Sequence, residues 1–300
     1  FVVAAIVELA ELFFFTLSWR VLLDFLKIKI TVVKAYLFVL YSFYMDIVVP
    51  AGSVTGDVTR VYLISKEKNG VETEAAATVF IQRLLGMIFH VASILIGIVL
   101  ILLGSGLNKT LAYYVAGFGG IMSIALVLVL LIIAKKSLSH KILDNSLSFF
   151  DKVTKKRWNV SRWRERAHEL IEKFRNSTIS FRKNPSVLAN SVAYLILNWL
   201  CSFYVPYIIF LALGYPVSWS VIIVTTSIVL AVRSIPIGLP FEVGIPEITM
   251  TTLFVALGVP AGISATATLL TRALTLWFRF ALGFIAQQWV ELKPEKLKID

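Results

Sequence analysis

Ionisable residues placed inside apolar sequence are the first candidates for chemistry in this chain. Asp46, Asp57, Arg60, Arg83, His90, Arg233, Glu242, Glu247, Arg272 and Arg279 all fall in or beside stretches of predominantly hydrophobic residues. Charges are costly in hydrocarbon, so such groups face a bundle interior or a wet cavity and tend to pair. The four acids and five arginines leave one arginine in excess. A guanidinium presents a planar fork of N–H donors that matches phosphate. The chemistry these residues suit is therefore recognition of a phosphate held at membrane depth. His90, alone on an apolar face, reads as a satisfied interior histidine rather than a ligand.

Their spacing has a pattern. Asp57 precedes Arg83 by 26 residues and Glu247 precedes Arg272 by 25, and each acid follows a glycine/proline break. The first break runs from Pro50 to Gly56, and the second from Pro236 through Pro240 and Gly244 to Pro246. The segments 77–83 and 266–272 can be laid over each other. Each copy is a span, a break, a short helix started by an acid, and a long helix carrying an arginine. The N-termini of the two short helices offer backbone N–H groups suited to an anion. Asp57 and Glu247 also have a plainer reading as helix-start residues favoured by the dipole, and Arg83 and Arg272 as their structural partners.

The elements that must position these groups are membrane helices. The 300 residues are 58% hydrophobic and 16% charged, with mean hydropathy +0.83, well above the composition of soluble domains. That excludes a soluble enzyme, a disordered chain and a disulfide-stapled secreted domain. The single cysteine, Cys201, cannot close an intrachain disulfide, and no Cys/His cluster suits a metal. Spans are expected over 1–26, 72–103, 111–134, 186–213, 218–233 and 263–290. The chain starts without methionine inside an apolar run, which points to upstream sequence.

Net charge is +11, and residues 135–183 supply nine of those units, with fourteen Lys/Arg against five Asp/Glu. The positive-inside rule makes this loop cytoplasmic. Within it Trp163, Ala167, Leu170, Ile171 and Phe174 form one apolar stripe of a helix. This helix reads either as lying on an anionic leaflet or as packed on its own protein. No nucleic-acid motif accompanies the basic run.

The other basic clusters, at Lys27–Lys34, Lys66/Lys68 and Lys293–Lys298, fall on the same side if the segments about 34–68 and 218–258 are re-entrant hairpins. A helix over 34–50 rises only about 25 Å, short of a hydrocarbon core of about 30 Å. The expected fold is thus an all-α polytopic bundle with two opposed re-entrant hairpins in an inverted repeat. It comprises a membrane half 1–134, a basic cytoplasmic loop 135–185 and a membrane half 186–300, with a cytoplasmic C-terminus. Paired broken segments in two halves point to a transporter's binding site.

These residues resemble the lysylphosphatidylglycerol synthase transmembrane-region family. In that family a proline leads into Gly-Gly-acid-x-x-Arg, matched here by Pro50 and by Gly56-Asp57-Val58-Thr59-Arg60. Glu-Arg-x-x-Gly follows, matched by Gln82-Arg83-Leu84-Leu85-Gly86, and Pro-Gly-Gly-x-Gly-x-x-Glu falls on 240–247. Thr55 replaces the first glycine, Gln82 a glutamate, and Phe241-Glu242 the paired glycines. The family includes the flippase half of the bacterial multiple peptide resistance factor.

The resemblance implies a lipid-handling membrane protein and not one particular lipid. The leading reading places Arg60, Arg83, Arg233 and Arg272 on a lipid phosphate and Asp57, Glu242 and Glu247 on the rest of the headgroup, an aminoacyl-phospholipid or a polyprenyl-phosphate-linked sugar. The catalytic synthase domain lies outside the similarity, so no catalytic residue, cofactor or metal is expected. Expected partners are membrane lipids and the anionic cytoplasmic leaflet, with a homo-oligomer open. The alternatives are a membrane glycosyltransferase using a lipid-phosphate sugar, an ion-coupled carrier of a small solute, and a scaffold for a partner enzyme.

Overall fold

A computed structural model describes residues 1–49, 54–103, 109–134, 160–233 and 243–292. Among them every regular element is helical. The first helix, α1 (Val2–Phe25), ends where Lys27 turns left-handed at φ 63°. Thr31 caps α2 (Val32–Val48) by accepting from the Lys34 N–H at 3.3 Å. The chain returns in α3 (Val54–Glu67), three residues earlier than Asp57 alone suggests. Gly70, at φ 80°, turns it into α4 (Glu72–Leu103), whose first turn holds Glu72 and Glu74 on the positive end of the helix dipole. Next come α5 (Lys109–Ala134) and α6 (Val160–Arg182).

The second half begins with α7 (Pro185–Ala212), started by Pro185 where the missing N–H costs nothing. It is followed by α8 (Trp219–Arg233) and α9 (Ile245–Ala256). Gly258, at φ 90°, lets the Val259 N–H return to Phe254 O at 2.9 Å and ends α9. The last long helix has an interruption that its sequence does not announce. It runs as α10 (Ala261–Arg272), a π-helical segment Ala273–Phe278, and α11 (Arg279–Leu292).

Among the described residues, four stretches are long and apolar enough to cross a membrane: α1, Glu72–Leu100, α7 and Ala261–Leu292. The remaining helices of the two broken regions are short. At 1.5 Å per residue, α2, α3, α8 and α9 rise only about 25, 21, 22 and 18 Å.

Packing follows a matched scheme. The two central helices α1 and α7 form the most extensive pair, joined by Ser18 and Ser191 hydroxyls 2.8 Å apart. In the first half α2 packs on α3 and α3 on α4; in the second, α8 packs on α9 and α9 on α10. The halves then exchange helices, since α4 lies on α8 and α11 lies on α2.

A glycine permits each crossing. A Cβ on Gly97 of α4 would stand 2.5 Å from Val224, and one on Gly283 of α11 2.6 Å from the Leu40 carbonyl of α2. The two cores show the same exchange. One gathers Trp19, Phe38, Leu63 and Val79 with Val290 from α11, and the other gathers Phe210, Val224 and Phe254 with Ile94 from α4.

The C-terminal half of α6 is seated on the protein. Phe181 is fully buried and 4.9 Å from the Phe25 ring, and Phe174 meets Phe80 at 5.2 Å. Of the stripe expected on this helix, Phe174 therefore packs inward, whereas Leu170 is exposed.

Candidate functional site

The first hairpin brings Asp57 and Arg60 of α3 to Arg83 of α4. Asp57 and Arg60 are one helical turn apart, so both face the same neighbour. The Asp57 carboxylate accepts from Arg60 at 2.6 Å through one oxygen and from Arg83 through the other. Arg60 also donates to Gln82 Oε1 at 2.6 Å, and Gln82 in turn donates to the Phe15 carbonyl at 2.8 Å. The Arg60 guanidinium lies over the rings of Phe15 and Trp19 at 5.3 and 5.1 Å. Trp19 is itself fixed by donation to Thr78 at 3.0 Å.

Arg60 is thus rigidly housed, with its side chain 5% exposed, whereas the Arg83 and Asp57 side chains are 32% and 22% exposed. Asp46, near the C-terminal end of α2, accepts from the Gly56 N–H at 2.6 Å and ties the two arms of the hairpin together.

The second hairpin repeats the central pairing. Glu247 accepts from Arg272 through Oε1 and from the Gly244 N–H through Oε2 at 2.7 Å. Gly244, at φ 105°, adopts a backbone conformation that side chains disfavour, so a glycine belongs there. Both sequence-matched acid–arginine pairs therefore form, each between a short hairpin helix and the long helix that follows it. Arg233 closes α8. Pro50, Pro240 and Glu242 lie outside the described residues.

A third buried cluster was not anticipated. Arg279, at the start of α11, pairs with Glu8 of α1 and with Glu11 at 2.8 Å, and its guanidinium lies 5.2 Å from the Phe43 ring centroid. Glu8 is fully buried, and its Oε2 has no partner. With these two glutamates counted, the intramembrane set holds one more acid than arginine, the reverse of the balance read from the sequence. Their spacing of three places both on one helix face, which was a readable signal inside the first span.

The π segment explains how Arg272 and Arg279 serve different partners. Seven residues apart in an α-helix they would share a face. The wider i→i+5 winding between them turns Arg272 to the second hairpin and Arg279 to α1.

Asp57, Arg60, Arg83, Asp46, Glu11 and Arg279 all line one cavity of about 420 Å³ at the middle of the bundle. Its walls come from α1, α2, α3, α4, α5, α7, α8 and α11 and include Phe15, Phe89, Met122 and Trp199. Glu247 and Arg272 are not among its lining residues, so the cavity belongs to the first hairpin. His90 does line it, and its buried Nδ1 has no hydrogen-bond partner, unlike the satisfied interior histidine expected.

A helical membrane protein with several apolar spans and an ion-paired cavity beside its first hairpin is the class that this fold and site define. The chain belongs to the lysylphosphatidylglycerol synthase TM region family, whose sequence profile matches residues 1–283. It is similar to a UPF0104 membrane protein of Pyrococcus horikoshii, 24% identical over 94% of this chain and 83% of the relative. A UPF0104 membrane protein of Methanothermobacter thermautotrophicus is 25% identical over the same shares. One from Methanocaldococcus jannaschii is 22% identical over 99% of this chain and 86% of the relative. No solved structure matches the chain.

Proposed function

We propose that the protein moves a phosphate-headed lipid between membrane leaflets, binding the headgroup in the cavity beside the first hairpin. The observation that carries this reading is the Arg60–Asp57–Arg83 arrangement, in which two arginines share one carboxylate at the cavity wall. Arg60 meets only the neutral amide of Gln82 on its other side, where a glutamate in the family motif would add a negative charge. A guanidinium carries five N–H donors, more than half of a carboxylate engages, so the pair suits an incoming phosphate. Arg60 is held in place by its aromatic neighbours, and Arg83, more open to the cavity, makes first contact.

The exchanged packing supports an inverted repeat of two halves, 1–134 and 186–300, joined by the basic loop 135–185. In this reading α2/α3 and α8/α9 are re-entrant hairpins entering from opposite faces, the first from the cytoplasm. Each hairpin rests on the long helix of the other half, so rocking one half against the other alternates access to the cavity. Glu247 and Arg272 are then the counterpart pair in the second half, with Arg233 and Glu242 as further headgroup contacts. The C-terminus and the basic loop are cytoplasmic, facing the anionic leaflet.

Lipid scrambling by the full chain in proteoliposomes tests the proposal. Loss of a charge-assisted contact in Arg83→Ala slows transport about 10- to 100-fold, and Arg272→Ala slows it as well. Wild-type rates in both variants contradict it.

A further inference from the structure

Beyond the arginine pair the cavity wall continues along α4 to His90. His90 stands seven residues after Arg83 on an uninterrupted α-helix, so both project from one face about 10 Å apart along the axis. Both line the cavity, as do Asn198, Trp199 and Ser202 of α7.

Two buried ring nitrogens at this end, His90 Nδ1 and Trp199 Nε1, have no hydrogen-bond partner. An indole N–H only donates, while a neutral imidazole also accepts. Leaving both unmade is costly at a buried site. The Phe89 and Trp199 rings, 5.4 Å between centroids, add apolar faces beside them.

Comparison with the other half sharpens the contrast. Arg279 stands seven residues after Arg272, as His90 does after Arg83. Arg279 is answered by Glu8 and Glu11 of α1. On the other central helix, the residues that line the cavity with His90 are Leu195, Asn198, Trp199 and Ser202, which carry no charge. The carboxylates that line the cavity are already engaged: Asp57 by two arginines, Glu11 by Arg279, and Asp46 by the Gly56 N–H.

We infer that His90 and Trp199, with Asn198 and Ser202, form a subsite for a neutral hydroxylated group. The ligand class is then a polyol or sugar phosphodiester lipid, with its phosphate at Arg83 and its hydroxyls further along α4 toward His90. This rests on the transport reading above and narrows its substrate. A hydroxyl has both properties these nitrogens call for, accepting from an indole N–H and donating to an imidazole. An ammonium can only donate, so it leaves the indole N–H unmet.

Calorimetric titration of the detergent-purified full chain with three short-chain lipids tests the subsite. The probes are dihexanoyl phosphatidylglycerol, dihexanoyl phosphatidic acid and dihexanoyl phosphatidylethanolamine. The expected order places phosphatidylglycerol tightest. Its preference over phosphatidic acid shrinks about tenfold, the scale of one or two net hydrogen bonds, in His90→Leu and in Trp199→Phe. His90→Gln, which can still donate and accept, recovers part of that preference. A circular-dichroism melt of each variant shows whether it is folded, and the ratio of two lipids on one sample is insensitive to the folded fraction. Tighter binding of phosphatidylethanolamine overturns the inference, as does an unchanged ratio in both ring variants. Arg83→Ala serves the underlying reading separately: it weakens all three lipids, and if it weakens none, that reading falls and the subsite with it.

Discussion

At the residue scale the buried charges make different demands. Arg279 pairs with both Glu8 and Glu11, and replacing it removes that cation from two carboxylates in the bundle interior. Removing one partner of a buried pair costs about 3–5 kcal/mol, mostly the price of the unpaired charge. Arg279→Met should therefore lower the melting temperature in detergent sharply, and adding Glu8→Gln and Glu11→Gln should restore much of it. Gln82 tests the opposite property. Gln82→Glu gives Arg60 a second carboxylate, so headgroup affinity should fall while the melting temperature holds or rises; unchanged affinity would separate Arg60 from phosphate binding. The pairs Asp57–Arg83 and Glu247–Arg272 were legible from spacing alone, because acid and arginine recur at 26 and 25 residues behind a break. The spacing of Glu8 and Glu11 was readable, but their pairing with Arg279 was not, because that partner lies 271 residues from Glu8, a separation that no local pattern reports.

At the element scale, close approach governs the hairpin and the exchanged helices. A Cβ on Gly56 would stand 2.3 Å from the Asp46 carboxylate and 2.7 Å from the Ser42 carbonyl. Gly56→Ala should thus cost about 1–3 kcal/mol through forced displacement of α3 from α2. Gly283→Ala should do likewise where α11 crosses α2, and Gly117→Ala, with open space around it, should be silent in the same thermal melt.

Helix positions followed from apolar runs bounded by Gly and Pro, and the short acid-started helices α3 and α9 appeared within a few residues of where the breaks put them. The π segment did not, because Ala273–Phe278 holds no proline or glycine and its apolar pattern suits α and π winding alike. The basic helix α6 shows a similar limit. Its stripe was visible, but a stripe facing lipid and one facing protein read the same, and only Phe181 and Phe174 against Phe25 and Phe80 decide for protein at its C-terminal half.

At the scale of the whole molecule the two halves are bound by exchange, so sidedness is the property to measure. The open end of α2/α3 carries Lys34 paired with Glu67 at 2.8 Å and Lys66 near Glu291 of α11 at 3.5 Å. The start of α8 instead carries Trp219 stacked on Tyr207 at 4.3 Å, aromatic residues of the kind that sit at a membrane–water interface. In a Cys201→Ser background, Asn69→Cys and Ser218→Cys should react with an impermeant thiol reagent from opposite faces of the membrane. Reaction of both from one face would contradict the opposed hairpins and leave the transport cycle without its symmetry. The charged end of the cavity, by contrast, speaks directly to the ligand. The most direct measurement is mass spectrometry of lipid retained by the gently purified full chain, set against Arg83→Ala. The account predicts that a phosphate-bearing lipid accompanies the wild type in near-stoichiometric amount and is depleted in the variant. Retention of only phosphate-free lipid, or equal retention by both proteins, would contradict it.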